Sequence, residues 1–300
     1  MASAYLIHIS DPHIGSKLSG GGLVPHSNGH DRAALEAFCH SRNAIVDGAK
    51  DDGVLVVSGD VSAHGSDDEL GMYRTFRDLG VVQDAYFVHD AFAKGFEAVL
   101  DVPGNHDLWG GAWLWALPAA RVNLAARAKW FTSWQAELPL GAHLVAVHGL
   151  CSTSGATGRQ QFFAVGSFRD EDCDAVARSV DASTRKAQQR GLEPFHLLVI
   201  HHSPAHGSAS VNGLDAAGRQ KLQALCARCR IRGILTGHAH SRQIVPKGIL
   251  PVQQRSFWQH ELIEEGQTLV WRATPWVHYS DPFLRARFVR LGERSQLVSY

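Results

Sequence analysis

Val99-Leu100-Asp101-Val102-Pro103-Gly104-Asn105-His106-Asp107 reads as a buried strand that runs into a tight turn. Val and Leu suit a strand, and Pro-Gly ends it. The turn presents three side chains of different chemistry. Asn105 offers an amide oxygen, a neutral ligand for a hard or borderline cation. His106 can donate a proton near neutral pH. Asp107 can orient His106 or stabilise its cationic form.

Outward from this stretch, four other β-like runs end in polar side chains. Tyr5 to Ser10 stops at Asp11-Pro12-His13, where an Asp and a His two apart can turn toward one ion; a plain Asp-Pro turn would read the same. Gly53 to Gly59 is a continuous apolar run suited to a strand buried on both faces. Asp60 follows it, at the carboxyl end where α/β sheets present their ligands. Phe195–Ile200 ends at His201-His202-Ser203-Pro204, and Ile231–Thr236 ends at Gly237-His238-Ala239-His240. His143–His148 is a further strand, with His148 either a core group or one standing behind a ligand.

Between these runs the periodicity predicts helices over 31–49 (capped by Asp31), 67–79, 170–190 and 214–230. Residues 14–30, with three consecutive glycines, form a loop beside Asp11. The Trp- and Ala-rich residues 109–137 read as helices interrupted by Pro118, either a layer packed on the core or a cap inserted over 109–140. The β-like runs of 243–300 are expected to add antiparallel strands to a second sheet. Cys226 and Cys229 form a lone C-x-x-C on a helix, the pattern of inert thiols rather than of a zinc or redox site. Neither a repeat nor a linker interrupts the chain, and residues 1–300 are read as one domain.

Composition excludes several classes. With 45% hydrophobic and 19% charged residues among 300, the chain can bury a large core. Its formal net charge of zero implies no general affinity for nucleic acid or membranes. Five cysteines at irregular positions do not make a disulfide framework. No stretch approaches the ~20 apolar residues of a membrane span. The start lacks a basic, apolar leader, and a reducing, cytoplasmic setting is expected.

The polar strand ends hold two carboxylates (Asp11, Asp60), one amide (Asn105) and four imidazoles (His13, His201, His238, His240). That is too many for one tetrahedral ion and enough for two ions that share a ligand. Asp60, alone on its strand, is the natural bridge. Two divalent ions, two carboxylates and a bridging hydroxide leave the site net positive, which suits an anionic phosphate. His106 would assist the leaving oxygen, an effect of roughly 10²–10⁴-fold. The ligand types suit Mn, Fe, Zn or Co.

Asp11-Pro-His13, Gly59-Asp60, Gly104-Asn105-His106-Asp107, His201 and Gly237-His238-x-His240 resemble, in order, the motifs of the calcineurin-like metallophosphoesterases. The resemblance implies a four-layer αββα sandwich of two mixed sheets flanked by helices, with a dinuclear site at the carboxyl ends of the strands. It assigns Asp11, His13, Asp60 and His240 to one ion, and Asp60, Asn105, His201 and His238 to the other. His106 becomes the catalytic histidine with Asp107 behind it. His201, which follows its strand directly, is taken as the ligand ahead of His202. Two departures narrow the subclass. Ala63 replaces the tyrosine ligand of purple acid phosphatases. The phosphate-binding arginine of protein Ser/Thr phosphatases is absent, which favours a monoanionic diester; His64 could replace it in part. The implied activity is hydrolysis of a small phosphodiester or phosphomonoester. Alternatives are a cyclic-nucleotide phosphodiesterase or a silent binding module on the same fold. A metallo-β-lactamase-like site is disfavoured, because His238-Ala239-His240-Ser241-Arg242 lacks the continuation that fold needs.

Overall fold

A computed structural model describes residues 2–14, 38, 41–42, 45–46, 53–63, 65–80, 91–109, 129–131, 134–162, 164–205, 213–238, 249–251, 256–266, 268–279, 287–290 and 298–299. In chain order its elements begin with β1 (Ser3–Ile9), β2 (Gly53–Val57), α1 (Asp67–Asp78), β3 (Ala98–Asp101) and α2 (Asn105–Trp109). There follow β4 (Gln135–Leu140), β5 (His143–Gly149), α3 (Arg159–Phe162), α4 (Asp170–Gln189), β6 (Glu193–Ile200), α5 (Ala216–Cys229) and β7 (Ile231–Thr236). The last are β8 (Ile249–Pro251), β9 (Ser256–Glu265), β10 (Thr268–Tyr279), β11 (Arg287–Arg290) and β12 (Val298–Ser299).

Two mixed sheets result. One runs β11-β10-β9-β1-β2-β3, with β12 on β10; the other runs β4-β5-β6-β7-β8. The strands β1, β2 and β3 are parallel, as are β5 to β8, so each sheet brings several carboxyl ends to one edge. Period-two alternation decides what each face meets. Leu6, Val54, Val56, Leu197 and Val199 point inward and share one core between the sheets. Their neighbours Tyr5, Ile7, Leu55 and Val57 point outward onto Leu70, Tyr73 and Phe76 of α1. On the other sheet Leu198 and Ile200 pack under Val176, Val180, Leu222 and Leu225 of α4 and α5. Runs that look uniformly apolar are therefore strands covered on both sides, the middle layers of an αββα stack.

The helices at 67–79, 170–190 and 214–230 form within a residue or two of expectation. Ser66 caps α1 in a capping box with Glu69. Of 31–49, the described residues 38, 41, 42, 45 and 46 are helical; the Asp31 cap and the loop at 15–30 lie outside the described residues. Two expectations are corrected. Residues 135–137 are not helical but open β4, where Ala136, Leu138 and Leu140 alternate inward. Pro139 is tolerated because β4 is an edge strand. Residues 110–128 lie outside the described residues, as therefore does most of the proposed cap. Of the β-like runs over 243–300, β8 extends the second sheet, parallel to β7 and not antiparallel, whereas β9 to β12 do not. They join the first, because β9 pairs antiparallel with the free side of β1. Burial and then Cys229 push the Cys226 thiol up to about 12, which favours its protonated form. Among the described residues, no helix is long and apolar enough to cross a membrane.

His148, next to last in β5, faces α4. Its Nδ1 is 3.0 Å from Ser179 Oγ, and its Nε2 is 3.1 Å from His196 Nδ1. Burial and then His196 hold its pKa down to about 3, against a weaker pull from Glu137. The unfolded chain takes up a proton near the ordinary value of 6.5 that the folded chain refuses. This stability is therefore complete above 6.5 and is lost as pH falls toward 3. Between about pH 7.5 and about pH 5, denaturant titrations should show the wild type losing about 2 kcal/mol more than His148→Gln.

Candidate metal centre

Hydrogen bonding continues past the ends of β1 and β2. Ser58 N donates to Ile9 O (3.0 Å), Asp11 N to Gly59 O (2.9 Å) and His13 N to Asp60 O (3.0 Å). This lays Asp11 and His13 alongside Asp60. The path is contorted. Among the described residues, six non-glycine residues have positive φ, and Asp11 (55°), His13 (44°), Asp60 (50°) and His238 (63°) are four of them. Such conformations cost of order 1–3 kcal/mol each and gather at functional sites. The glycines of two motifs make room. A Cβ on Gly104 would lie 2.1 Å from Asp60 Oδ1 and 2.4 Å from Asp60 N. Gly59, at φ 98°, would put one 2.6 Å from His201 Nδ1.

Two groups of ligand atoms meet at Asp60. In the first, His201 Nδ1 donates to Ser58 O (2.8 Å), which leaves Nε2 facing the site. That Nε2 lies 3.2 Å from Asp60 Oδ2, 3.1 Å from Asn105 Oδ1 and 3.2 Å from His238 Nδ1. A carboxylate oxygen, an amide oxygen and two imidazole nitrogens thus point at one another, an arrangement that a proton on His201 satisfies in part and a metal ion would satisfy in full. In the second group, His13 Nε2 and His106 Nε2 lie 3.8 and 4.0 Å from the same Asp60 Oδ2. Asp11 Oδ1 is 3.8 Å from His13 Nε2, and Asp11 Oδ2 accepts from His238 N (3.0 Å). Within each triad, His13–Asp60–His106 and Asp60–His201–His238, the ligand atoms lie within 4.8 Å of one another. This donor set fits divalent metal ions.

The bridging geometry differs from a simple division of two oxygens between two ions. Asp60 Oδ1 is taken by the backbone N–H of His106 (2.8 Å), and Oδ2 alone faces both groups. Electrostatics tie the group together. Burial works to raise the Asp60 pKa, but His201, then His106, hold it well below the usual carboxylate range. Burial works to lower His201, yet Asp60 pushes it up to about 9. A proton on His201 thus does in part what a metal ion would do there.

His106 Nδ1 lies 2.7 Å from Ala63 O and donates to it, so Nε2 is aimed at the site. The ring packs edge-on to His13, with centroids 4.5 Å apart. Its side chain is 17% exposed where those of Asp60, His201 and His13 are at most 5%, and with the half-buried His238 it forms the open side of the centre. The carboxylate of Asp107 accepts from Val61 N, Ser62 N, Ser62 Oγ and Gly104 N. It pins the β2 and β3 loops to each other, and the anchor of the His106 ring is the Ala63 carbonyl. Sequence reading missed Ser62 and Ala63, whose contacts depend on the backbone path after Asp60. His202 is held by Ser152: its Nδ1 lies 2.9 Å from Ser152 Oγ, its backbone N–H donates to the same oxygen, and its ring packs against His238 with centroids 4.5 Å apart. His64 and His240 lie outside the described residues.

Residues 4–242 match the family model of the calcineurin-like phosphoesterases. No curated protein matches the chain. Among solved structures, a dimetal phosphatase from Danio rerio is 12% identical with a TM-score of 0.50, over 90% of this chain and 95% of that one. A Staphylococcus aureus protein described as a 5′-nucleotidase is 12% identical (TM-score 0.45; 99% of this chain, 55% of that one). The sulfate thiohydrolase SoxB of Thermus thermophilus is 14% identical (TM-score 0.47; 99% of this chain, 58% of that one). The chain thus spans little more than half the length of the last two. These likenesses bear on the fold alone.

The Gly104 contact is directly testable. Gly104→Ala should displace the Asp60 carboxylate and weaken Mn²⁺ binding roughly 10–100-fold, the range for disturbing a group that supports a ligand. Calorimetric titration of the metal-free protein reads it.

Proposed function

The chain belongs to the calcineurin-like phosphoesterase family, and from that premise we propose that it hydrolyses a small phosphodiester at a two-metal site. The observation that carries this is the single oxygen, Asp60 Oδ2, facing both ligand groups. Asp60, Asn105, His201 and His238 would hold one ion. Asp11, His13, Asp60 and His240 would hold the other. Bound there, the ions supply positive charge to the phosphoryl oxygens and activate a water for in-line attack.

The side chains do the rest. His106, anchored through Nδ1 at Ala63, presents Nε2 to the leaving oxygen and hydrogen-bonds or protonates it. Asp107 keeps Gly104, Val61 and Ser62 in place, and so keeps Asp60 and His106 in register. Ala63 supplies no oxygen ligand, and no arginine stands in the Gly59–Gly65 block to clamp a dianion. The missing arginine favours a diester over a monoester, and Ala63 leaves no tyrosinate for an iron(III) site. His64, on that block, is the side chain we propose to contact the phosphate. The convergence of intact ligands argues against a silent binding module. We read the chain as one phosphoesterase domain, because β9 and β10 complete the sheet that β1 begins.

A panel of aryl monoesters, aryl diesters, cyclic nucleotides and glycerophosphodiesters, assayed with Mn²⁺, tests the proposal. Diester turnover should vanish with chelator and return with metal. His106→Ala should lose roughly 10²–10⁴-fold in turnover while retaining its metal content by elemental analysis. Loss of metal together with turnover would make His106 a ligand, and metal-loaded protein inert on the whole panel would refute the activity.

A further inference from the structure

Beneath the metal centre lies a line of polar groups that the proposed reaction does not use. His8 is fully buried on the inward row of β1, the row of Ala4 and Leu6. Its Nε2 is 2.8 Å from Ser58 Oγ. The carbonyl of Ser58 is the acceptor for His201 Nδ1 (2.8 Å) and also takes the Ser10 hydroxyl (3.2 Å). On its other side, His8 faces His260, with ring centroids 5.8 Å apart. His260 Nδ1 accepts from Trp271 Nε1 (3.2 Å). Among the described residues, neither His8 Nδ1 nor His260 Nε2 has a hydrogen-bond partner. Burial, then His260, keeps His8 neutral.

A buried imidazole with an unpartnered nitrogen is costly, and an aliphatic side chain would continue the row that Ala4 and Leu6 begin. What His8 gains is its contact with Ser58. Backbone hydrogen bonds flank the Ser58 peptide, from Ser58 N to Ile9 O and from Asp11 N to Gly59 O, but Gly59, at φ 98°, has no side chain to restrict it, and His8 adds the anchor at the Ser58 side chain. If that peptide rotates, His201 loses the acceptor that fixes its tautomer and ring direction.

We propose that His8 is a positioning residue for the metal centre. By holding Ser58 through its hydroxyl, it fixes the carbonyl that orients His201, and so sets how tightly the Asp60–Asn105–His201–His238 group holds its cation. The proposal rests on the two-metal reading above. Ser58 is the intermediary, and Ser10 braces the same carbonyl from β1.

The test is a Co²⁺ titration of the metal-free protein by calorimetry and visible absorption, beside melting of the metal-free form. His8→Leu and Ser58→Ala should each weaken one of two classes of Co²⁺ site by roughly 10–100-fold and alter its absorption bands. The metal-free melting temperature should stay level or rise. His8→Gln, which can place an amide near the position of Nε2, should recover most of the affinity. The double variant His8→Leu/Ser58→Ala should be no weaker than Ser58→Ala, because both act on one contact. Wild-type affinity in His8→Leu would overturn the proposal. So would a loss of affinity that follows a fall in melting temperature and is not recovered by His8→Gln. If His8→Leu does not fold, Ser58→Ala decides by the same readouts. His201→Ala, which removes a ligand, must lose that class of site. A wild type that takes up no Co²⁺ refutes the two-metal reading itself, a result distinct from any difference among the variants.

Discussion

Asp60 Oδ2 is the atom on which the site depends. Its carboxylate is buried, and its other oxygen is committed to the His106 N–H. The shared oxygen therefore sits between His201 and His13 with its direction fixed by the backbone of the turn after β3. A carboxylate free to rotate could serve either group; one pinned through Oδ1 must serve both through Oδ2. The loops after β1, β2, β3, β6 and β7 are arranged around that constraint. The close approach of Gly104 to Asp60 is part of the same arrangement.

The fold makes such a convergence affordable. Parallel strands deliver their carboxyl ends to one edge, and the two facing sheets bring two such edges together. The loops then need to turn only a few residues to meet. They do so with Asp11, His13, Asp60 and His238 in the left-handed region, the conformation that bulky branched residues avoid most. Strain of that kind persists only where the surroundings over-determine it. Here the three buried clusters on either side of the sheets supply the over-determination.

Much of this was legible in the sequence, for reasons that differ from element to element. The strands β2, β6 and β7 are short apolar runs ended by polar turns, a local signal. The residues brought together at the centre stand just past those runs, so strand ends alone located them. β4 was hidden because a Trp-rich context and Pro139 obscured a period-two pattern only six residues long. The sheet that β9 joins was not readable, because pairing between Ala4 and Leu262 is decided by packing and leaves no local mark. Between His201 and His202, adjacency gave a preference and no proof. Ser152, fifty residues away, holds the second ring. The partner of His106 was misplaced for the same reason: Asp107 is its neighbour in sequence, and the Ala63 carbonyl is its neighbour in space.

The electrostatics bind the two central ligand candidates to each other. Asp60 and His201 are both buried, and each would be neutral if it stood alone. Together each holds the other charged, Asp60 well below its ordinary range and His201 up to about 9. On the proposed two-metal reading, a divalent ion held by His201 would displace its proton, which would link binding to pH through His201. What the ion gains over the proton is reach. A proton can join Asp60 Oδ2 to one imidazole at a time, whereas a cation can also engage Asn105 Oδ1 and His238 Nδ1, which already lie 3.1 and 3.2 Å from His201 Nε2.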